Sequence, residues 1–127
     1  MACSTTADLK NQAAIPFTNI KTSYGVRDVV NFKTTGKFVC EKQGLYLISA
    51  QIMSTTKGAE FGIYQNGQEL ALVQIVPFHD SDTHNYHTGT GLAVVHLDQN
   101  DQIWIEVRHY DMHIFGQESC LNIIKVR

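Results

Sequence analysis

The 127-residue sequence predicts an all-β domain, a sandwich or barrel of many short strands. Apolar side chains recur with period two over most of the chain. Polar turn signals interrupt them at short spacing, and no segment shows a helical stripe with caps. Many short strands without helices have two stable solutions, two packed sheets or one closed sheet.

The first candidate strands lie at residues 15–20, 29–32 and 37–42. In residues 45–53, Tyr46, Ile48, Ala50 and Ile52 share one face, while Leu47, Ser49, Gln51 and Met53 share the other. Residues 59–65 and 69–76 flank Asn66-Gly67, a dipeptide suited to a type I′ hairpin turn. Residues 91–97 are apolar on both faces, which suits a strand between layers. In residues 102–110, Ile103, Ile105 and Val107 alternate with Trp104, Glu106 and Arg108, and a last strand is expected at 119–126. Thr35-Gly36, Gln43-Gly44, Lys57-Gly58 and Gln99-Asn100-Asp101 are polar breaks between them. The longest irregular stretches are 77–88 and 111–118, and on a β scaffold such loops usually carry function.

The length suits one domain, read as an N-terminal arm over residues 1–12 and a globular body over 13–127. A net charge of −2 with no basic run leaves no electrostatic footprint for nucleic acid or an anionic membrane. No apolar stretch approaches the roughly 20 residues that span a bilayer, and residues 1–12 hold no apolar signal-type core. Three cysteines are an odd count. Cys3, in the polar arm, is expected to be free or to link two chains. Cys40 and Cys120, in strand-like segments, are expected to be buried reduced thiols acting as small hydrophobes.

The run Thr35-Gly36-Lys37-Phe38-Val39-Cys40, followed by Gly44-Leu45-Tyr46-Leu47-Ile48, resembles the signature of the C1q domain. Tyr64-Gln65-Asn66-Gly67-Gln68 is similar to that family's Lys-Asn-Gly hairpin. Residues 90–97 and then Asn100-Asp101-Gln102-Ile103-Trp104-Ile105 resemble its Ser-Gly and Gly-Asp-x-Val-Trp-Val strands. Phe17, Asn19 and Phe32 fall where the family's opening Phe and Asn residues stand. The final strand departs from the family's Phe-Ser-Gly-Phe, reading Ser119-Cys120-Leu121-Asn122-Ile123-Ile124. No collagen-like Gly-X-Y segment precedes the domain here, so a stand-alone or excised globular head is expected.

The resemblance implies a C1q/TNF-like jelly-roll β-sandwich of about ten antiparallel strands. It also implies a homotrimer, secretion and a recognition role in innate immunity. Tyr46, Phe61, Tyr64 and Trp104 are more aromatic surface than one small core needs, which makes them candidates for packing between subunits. His96 sits in the most apolar strand, where relatives also carry His, and is expected in the core or at an interface.

The remaining histidines gather in two loops. His79, Asp80, Asp82, His84, Tyr86 and His87 occupy one, and Arg108, His109, Tyr110, Asp111 and His113 the other. These residues are the candidate ligand-binding set. Imidazole with carboxylate suits zinc, copper or nickel, whereas calcium wants oxygen ligands. In the resemblance, acidic residues of the first loop hold calcium; here His79, Asp80 and His87 stand near those positions. A divalent metal, calcium or zinc, is therefore the candidate cofactor, and an exposed polar loop in contact with water is the plainer alternative. Phe78, Tyr86, Tyr110 and Met112 add apolar bodies among polar donors, a mixture suited to sugars or protein surfaces. Clustered histidines would make such binding sensitive to pH between roughly 5 and 7.

The chain lacks the His-x-His of metal-binding cupins, a Gly-x-Ser-x-Gly elbow, a P-loop and a dinucleotide fingerprint, so no catalysis is expected. Two functions remain. One is a carbohydrate or microbial-pattern recognition module acting through surface loops. The other is a TNF-like trimeric signalling ligand engaging a protein receptor between subunits.

Overall fold

A computed structural model describes residues 1–23, 29–76 and 86–127. Among them, eleven strands, one short α-helix and one 3-10 turn follow in chain order. They are β1 (Ala2–Cys3), β2 (Ala7–Leu9), β3 (Asn19–Ile20), α1 (Val29–Thr35), β4 (Phe38–Val39) and β5 (Gly44–Ser54). Then come β6 (Glu60–Gln65), β7 (Gln68–Gln74), β8 (His87–Leu97), β9 (Gln102–Arg108), β10 (Met112–Ile114), the turn Gly116–Glu118 and β11 (Cys120–Lys125).

The strands form two antiparallel sheets, so the sandwich expectation holds. The larger is built around β5, which pairs along its whole length with β8 and along most of it with β11. Beyond β11 lie β1 and β3, and β10 with β2 extends the other end of β5. The smaller sheet has the order β4-β9-β6-β7. Period-two alternation sends Tyr46, Ile48, Ala50 and Ile52 of β5 inward against Phe61, Ile63, Ile103, Ile105 and Val107 of the small sheet. Phe17 and Ile15 complete this core at zero exposure. The β6–β7 turn has Asn66 at φ 51° and Gly67 at φ 90°, the left-handed pair that a type I′ turn needs. Asp101 ties the hairpin to the β8–β9 turn. Its carboxylate accepts hydrogen bonds from Asn66 Nδ2 (2.9 Å), Asp98 N (2.8 Å) and Gln65 Nε2 (3.3 Å). The Asn66 bond first, then the Asp98 amide, hold that carboxyl below its usual 3.8.

The structure departs from the sequence reading in several places. Residues 29–32, expected as a strand, open helix α1. Positions i and i+2 share a face on a strand but point about 200° apart on a helix, as 3.6 residues per turn requires. The burial follows the helix: Phe32 is 9% exposed and Val30 75%. Thr34 and Thr35 return their hydroxyls to the carbonyls of Val30 (2.9 Å) and Asn31 (2.8 Å). Gly36, at φ 74°, ends the helix by donating its N–H to Phe32 O at 2.8 Å. A side chain there would meet the Ile15 carbonyl as well as an unfavourable backbone conformation, since an added Cβ would lie 2.7 Å from that oxygen.

Residues 1–12, read as an arm, supply β1 and β2 to the large sheet. Cys3 faces Cys120 directly across the β1–β11 pair, and the two form a disulfide. The expectation of a reduced Cys120 is thereby corrected, and so is that of a free or interchain Cys3. Of the three thiols only Cys40 is free, and it is buried as expected. The stretch 111–118, expected as irregular, contains β10 and the 3-10 turn.

The four aromatics expected between subunits are buried inside the single chain. Tyr46 and Phe61 face the core because they alternate with outward residues, and Phe61 has no exposed surface. Tyr64 and Trp104 lie on the outer face of the small sheet and cover each other, their rings stacked at 6.0 Å and 12°. Lys37 Nζ caps the Trp104 ring at 4.4 Å and the Arg108 guanidinium lies 5.7 Å from the Tyr64 ring.

Two tyrosines give a pH signature. Burial, followed by the Cys40 hydrogen bond, pushes Tyr46 up to about 12; burial, followed by the Glu69 hydrogen bond, does the same to Tyr64. The unfolded chain releases these protons near 10 and the folded chain near 12. Their contribution to stability is therefore complete below the unfolded value and declines as pH rises from about 10 towards 12. Absorbance titration at alkaline pH is expected to show two tyrosines ionising last, together with unfolding. Ionisation of all five tyrosines near 10 with the fold intact would contradict this.

Candidate functional site

Pairing registers place the second candidate loop and the start of β8 at one end of the sandwich. Ser54, the last residue of β5, pairs with both His87 and Ile114, and Glu60 at the start of β6 pairs with Arg108 at the end of β9. The stretch 109–113, together with Tyr86 and His87, therefore lies around one rim. His79, Asp80, Asp82 and His84 lie outside the described residues.

The rim is held by buried hydroxyls. Ser54 Oγ donates to His113 O (2.6 Å) and accepts from Thr56 N (3.1 Å), while Thr56 Oγ1 accepts from His113 N (3.0 Å). Ser119, fully buried, accepts from Met53 N at 3.0 Å. These bonds satisfy polar groups that would otherwise be stranded beneath the surface, and they fix where the exposed side chains stand.

Phe115 is flanked by two candidate residues. Tyr86 meets it edge-on at 5.0 Å and His113 at 4.9 Å. His113 Nδ1 lies 2.8 Å from Asp8 Oδ1, and His109 Nδ1 is bonded to Glu60 Oε2. The His109 backbone takes φ 68°, which turns the chain sharply after β9. Asp111 accepts from Asn11 N at 2.8 Å and faces Lys10 Nζ at 3.4 Å. The Asn11 amide first, and Lys10 after it, draw the Asp111 carboxyl below 3.8. A cleft of about 180 Å³ lies between β2 and β10, lined by Asp8, Lys10, Thr56, Asp111 and His113 among others.

Chemically this rim offers alternating donors, acceptors and ring edges. His109 and His113 each face a carboxylate. Among the described residues no group of three or more His, Cys, Asp or Glu is arranged to hold a metal. Of the set His79, Asp80 and His87, only His87 is described, in the first position of β8. Arg108 does not join the rim; its side chain turns onto the small sheet, 3.3 Å from Glu106. Asp8, Lys10, Glu60 and Phe115 were not singled out in the sequence. Asp8 and Lys10 flank Leu9 with strand alternation, a signal too short to read over three residues.

A family model of the C1q domain matches residues 1–123. The chain belongs to the C1q-domain family. Its first curated relative, mouse Complement C1q tumor necrosis factor-related protein 7, is 33% identical over 79 residues, which is 62% of this chain and 26% of that protein. Human Complement C1q tumor necrosis factor-related protein 2 is 31% identical over 74 residues, 58% and 24% of the two chains. The chain thus spans about a quarter of the length of the curated relatives it matches. Among solved structures, the globular domain of zebrafish complement 1qA protein has a TM-score of 0.73 at 14% identity, covering 99% of this chain and 94% of that one. Murine APRIL has a TM-score of 0.72 at 13% identity, covering 98% and 95%. At these identities the likeness shows the fold, and the fold is the C1q/TNF-like jelly roll expected.

Family membership explains two departures in this C1q domain. Asn100 stands where the family pattern has Gly before Asp101, and it takes φ 75°, a left-handed conformation that Asn tolerates. The unusual last strand carries Cys120 because Cys3 lies opposite to bond it. His96 is corrected from the core: it is exposed on the outer face of the large sheet, 3.6 Å from Asp98. Among the described residues no helix is long and apolar enough to cross a membrane.

Proposed function

We propose that this C1q domain is a secreted, non-catalytic homotrimer that binds carbohydrate or other microbial-pattern ligands in innate immunity. Its ligand surface is the rim bearing Tyr86, His87, Tyr110, Asp111 and His113. The observation that carries the reading is a separation of surfaces. On the outer face of the large sheet, Leu92 and Val94 of β8 are 62% and 61% exposed, and Ile124 of β11 is 53% exposed. The register aligns Val94, Leu47 and Ile124 in one row across three strands. An exposed apolar row that runs from the edge strand β8 across β5 to β11 suits burial against other copies of the chain. The polar and aromatic rim, at one end of the same strands, stays free for ligand.

The Cys3–Cys120 disulfide supports an oxidising, extracellular compartment. Three linked sites raise effective concentration, so weak single-site binding becomes useful avidity. A divalent metal, calcium or zinc, held by His79, Asp80 and His87 belongs to this proposal as a cofactor. The second reading is a signalling trimer that engages a protein receptor between subunits, and it is favoured by a likeness to APRIL equal to that to the complement domain.

A polysaccharide-binding screen of the assembled protein, with and without chelator, separates the readings. Retention on microbial glycans, lost in a Tyr86→Ala, Tyr110→Ala double variant, is the expected result. Loss with chelator would assign the metal a part in binding. No retention on any glycan, alongside tight association with one receptor ectodomain, would establish the second reading instead.

A further inference from the structure

A second polar groove lies away from the rim, on the outer face of the small sheet. Its volume is about 470 Å³, and Gln12, Tyr64, Gly67, Glu69, Glu106 and Arg108 line it. Alternation along β9 puts Trp104, Glu106 and Arg108 on this face, and the β6 register sets Tyr64 beside Trp104. This is the face opposite the apolar row, so it stays open when that row is covered.

Hydrogen bonds hold Glu106 in place, while Glu69 has one bond among the described residues, from Tyr64, and is free to exchange it. Glu106 accepts from Trp104 Nε1 at 3.1 Å through Oε1 and from Arg108 Nη1 at 3.3 Å through Oε2. Tyr64 donates its hydroxyl to Glu69 Oε1 at 3.1 Å. Arg108 Nε is buried without a hydrogen-bond partner and stands 3.9 Å from Glu69 Oε1, too far for a direct bond. An unsatisfied N–H beside a carboxylate is costly, and such a group in a native structure calls for a partner.

We propose that this groove binds a neutral saccharide, one hydroxyl of which fills the gap between Arg108 and Glu69. A hydroxyl both donates and accepts, so it gives its proton to the Glu69 carboxylate and takes the Nε–H of Arg108. Glu69 and Glu106 flank the one guanidinium of the lining, which disfavours phosphate and sulfate esters there. The guanidinium in its middle, held by Glu106, disfavours a cationic amine. Glu69 is 39% exposed on the edge strand β7, and rotation of its side chain admits the hydroxyl. Gln12 adds a carboxamide at the margin and Tyr64 a ring, with Trp104 stacked beside Tyr64. This inference shares the ligand class of the function proposed above but differs from it in location.

The test uses the isotopically labelled full chain titrated with laminarihexaose and with mannohexaose. Binding in the groove moves the Arg108 Nε–H and Trp104 Nε1–H resonances in a saturable way. Arg108→Lys keeps the charge but removes Nε, and Glu69→Gln removes the anionic acceptor. Each is expected to weaken binding about tenfold or more, the size of a hydrogen bond to a charged group. Val30→Ser, on the exposed side of α1, leaves affinity unchanged. Should Arg108→Lys fail to fold, Glu69→Gln and Gln12→Ala give the same reading from the surface. Shifts confined to Tyr86, Tyr110 and His113 would overturn the groove and leave the rim standing. Shifts confined to the groove would support this site and overturn the rim as the saccharide surface. No shift with either sugar overturns the groove, while the polysaccharide screen decides the recognition reading separately.

Discussion

Replacing Cys3 with Ser is expected to cost about 2–5 kcal/mol of stability, the range for loss of a native disulfide in a small domain. The bridge joins residues 117 apart in sequence, so it constrains nearly the whole unfolded chain. It also fastens a short strand between two neighbours. β1 is two residues long, paired through Ala2 and Cys3 to Leu121 and Cys120 on one side and to Ile20 and Asn19 on the other. Ala2, Cys3 and Leu121 are all buried, so detachment of β1 exposes apolar surface beyond the bridge itself. Urea unfolding with and without reductant measures the effect. Reductant should bring the parent protein down to the variant's midpoint and leave the variant where it is. Cys120→Ser should match Cys3→Ser, and the double variant should be no worse than either, since all three remove one bond. An unchanged midpoint under reductant would show that the bond makes no contribution.

Leu92→Asp combined with Val94→Asp is expected to convert the proposed trimer to single chains. Both side chains are more than half exposed, so neither contributes much to the core of its own subunit. Their cross-strand partners are Ser49 and Leu47, with Asn122 and Ile124 one strand further on. Covered by another subunit, two carboxylates in that row would lose hydration without gaining a partner, a penalty of several kcal/mol for each. Sedimentation at equal concentration should give three times the 14.3 kDa chain mass for the parent and one chain mass for the variant. Circular dichroism and the urea midpoint should show the variant's fold retained. A variant that sediments like the parent would move the interface elsewhere. A parent that sediments as one chain would remove the trimer.

Much of the sandwich was legible in the alternation of side chains. β5, β6, β7, β9 and β11 fall within two residues of the stretches read from period two, and β8 begins four residues earlier than its apolar run. Asn66-Gly67 marked its own hairpin because few residues other than Asn and Gly adopt positive φ at low cost. Helix α1 was not legible, since four residues with Val and Phe two apart satisfy a strand pattern as well as a helical one. What separates the patterns is that Phe32 has a core to enter and Val30 does not. β1 and β2 were too short for any period to register, and of the expected strands 15–20 and 37–42 only Asn19–Ile20 and Phe38–Val39 form strands.

The candidate site was legible as composition and not as arrangement. Tyr86, Tyr110 and His113 were singled out as polar-aromatic loop residues. That Tyr86 and His113 meet over Phe115, and that Asp8 reaches His113, depends on strands far apart in sequence. Arg108 was assigned to the loops because it precedes His109. The alternation of β9 instead carries it onto the small sheet beside Glu106.

The order of side chains along the chain was enough to establish an all-β domain and its principal strands, because period two and turn chemistry are local properties of the backbone; the sandwich and the family came from the resemblance of its motifs to the C1q pattern. Only the folded chain decided which aromatics are interior, that Cys3 bonds Cys120, and where the apolar row and the two polar surfaces lie. Each of these depends on which strands become neighbours across long stretches of sequence, and that choice is made by the closing of the two sheets over one core.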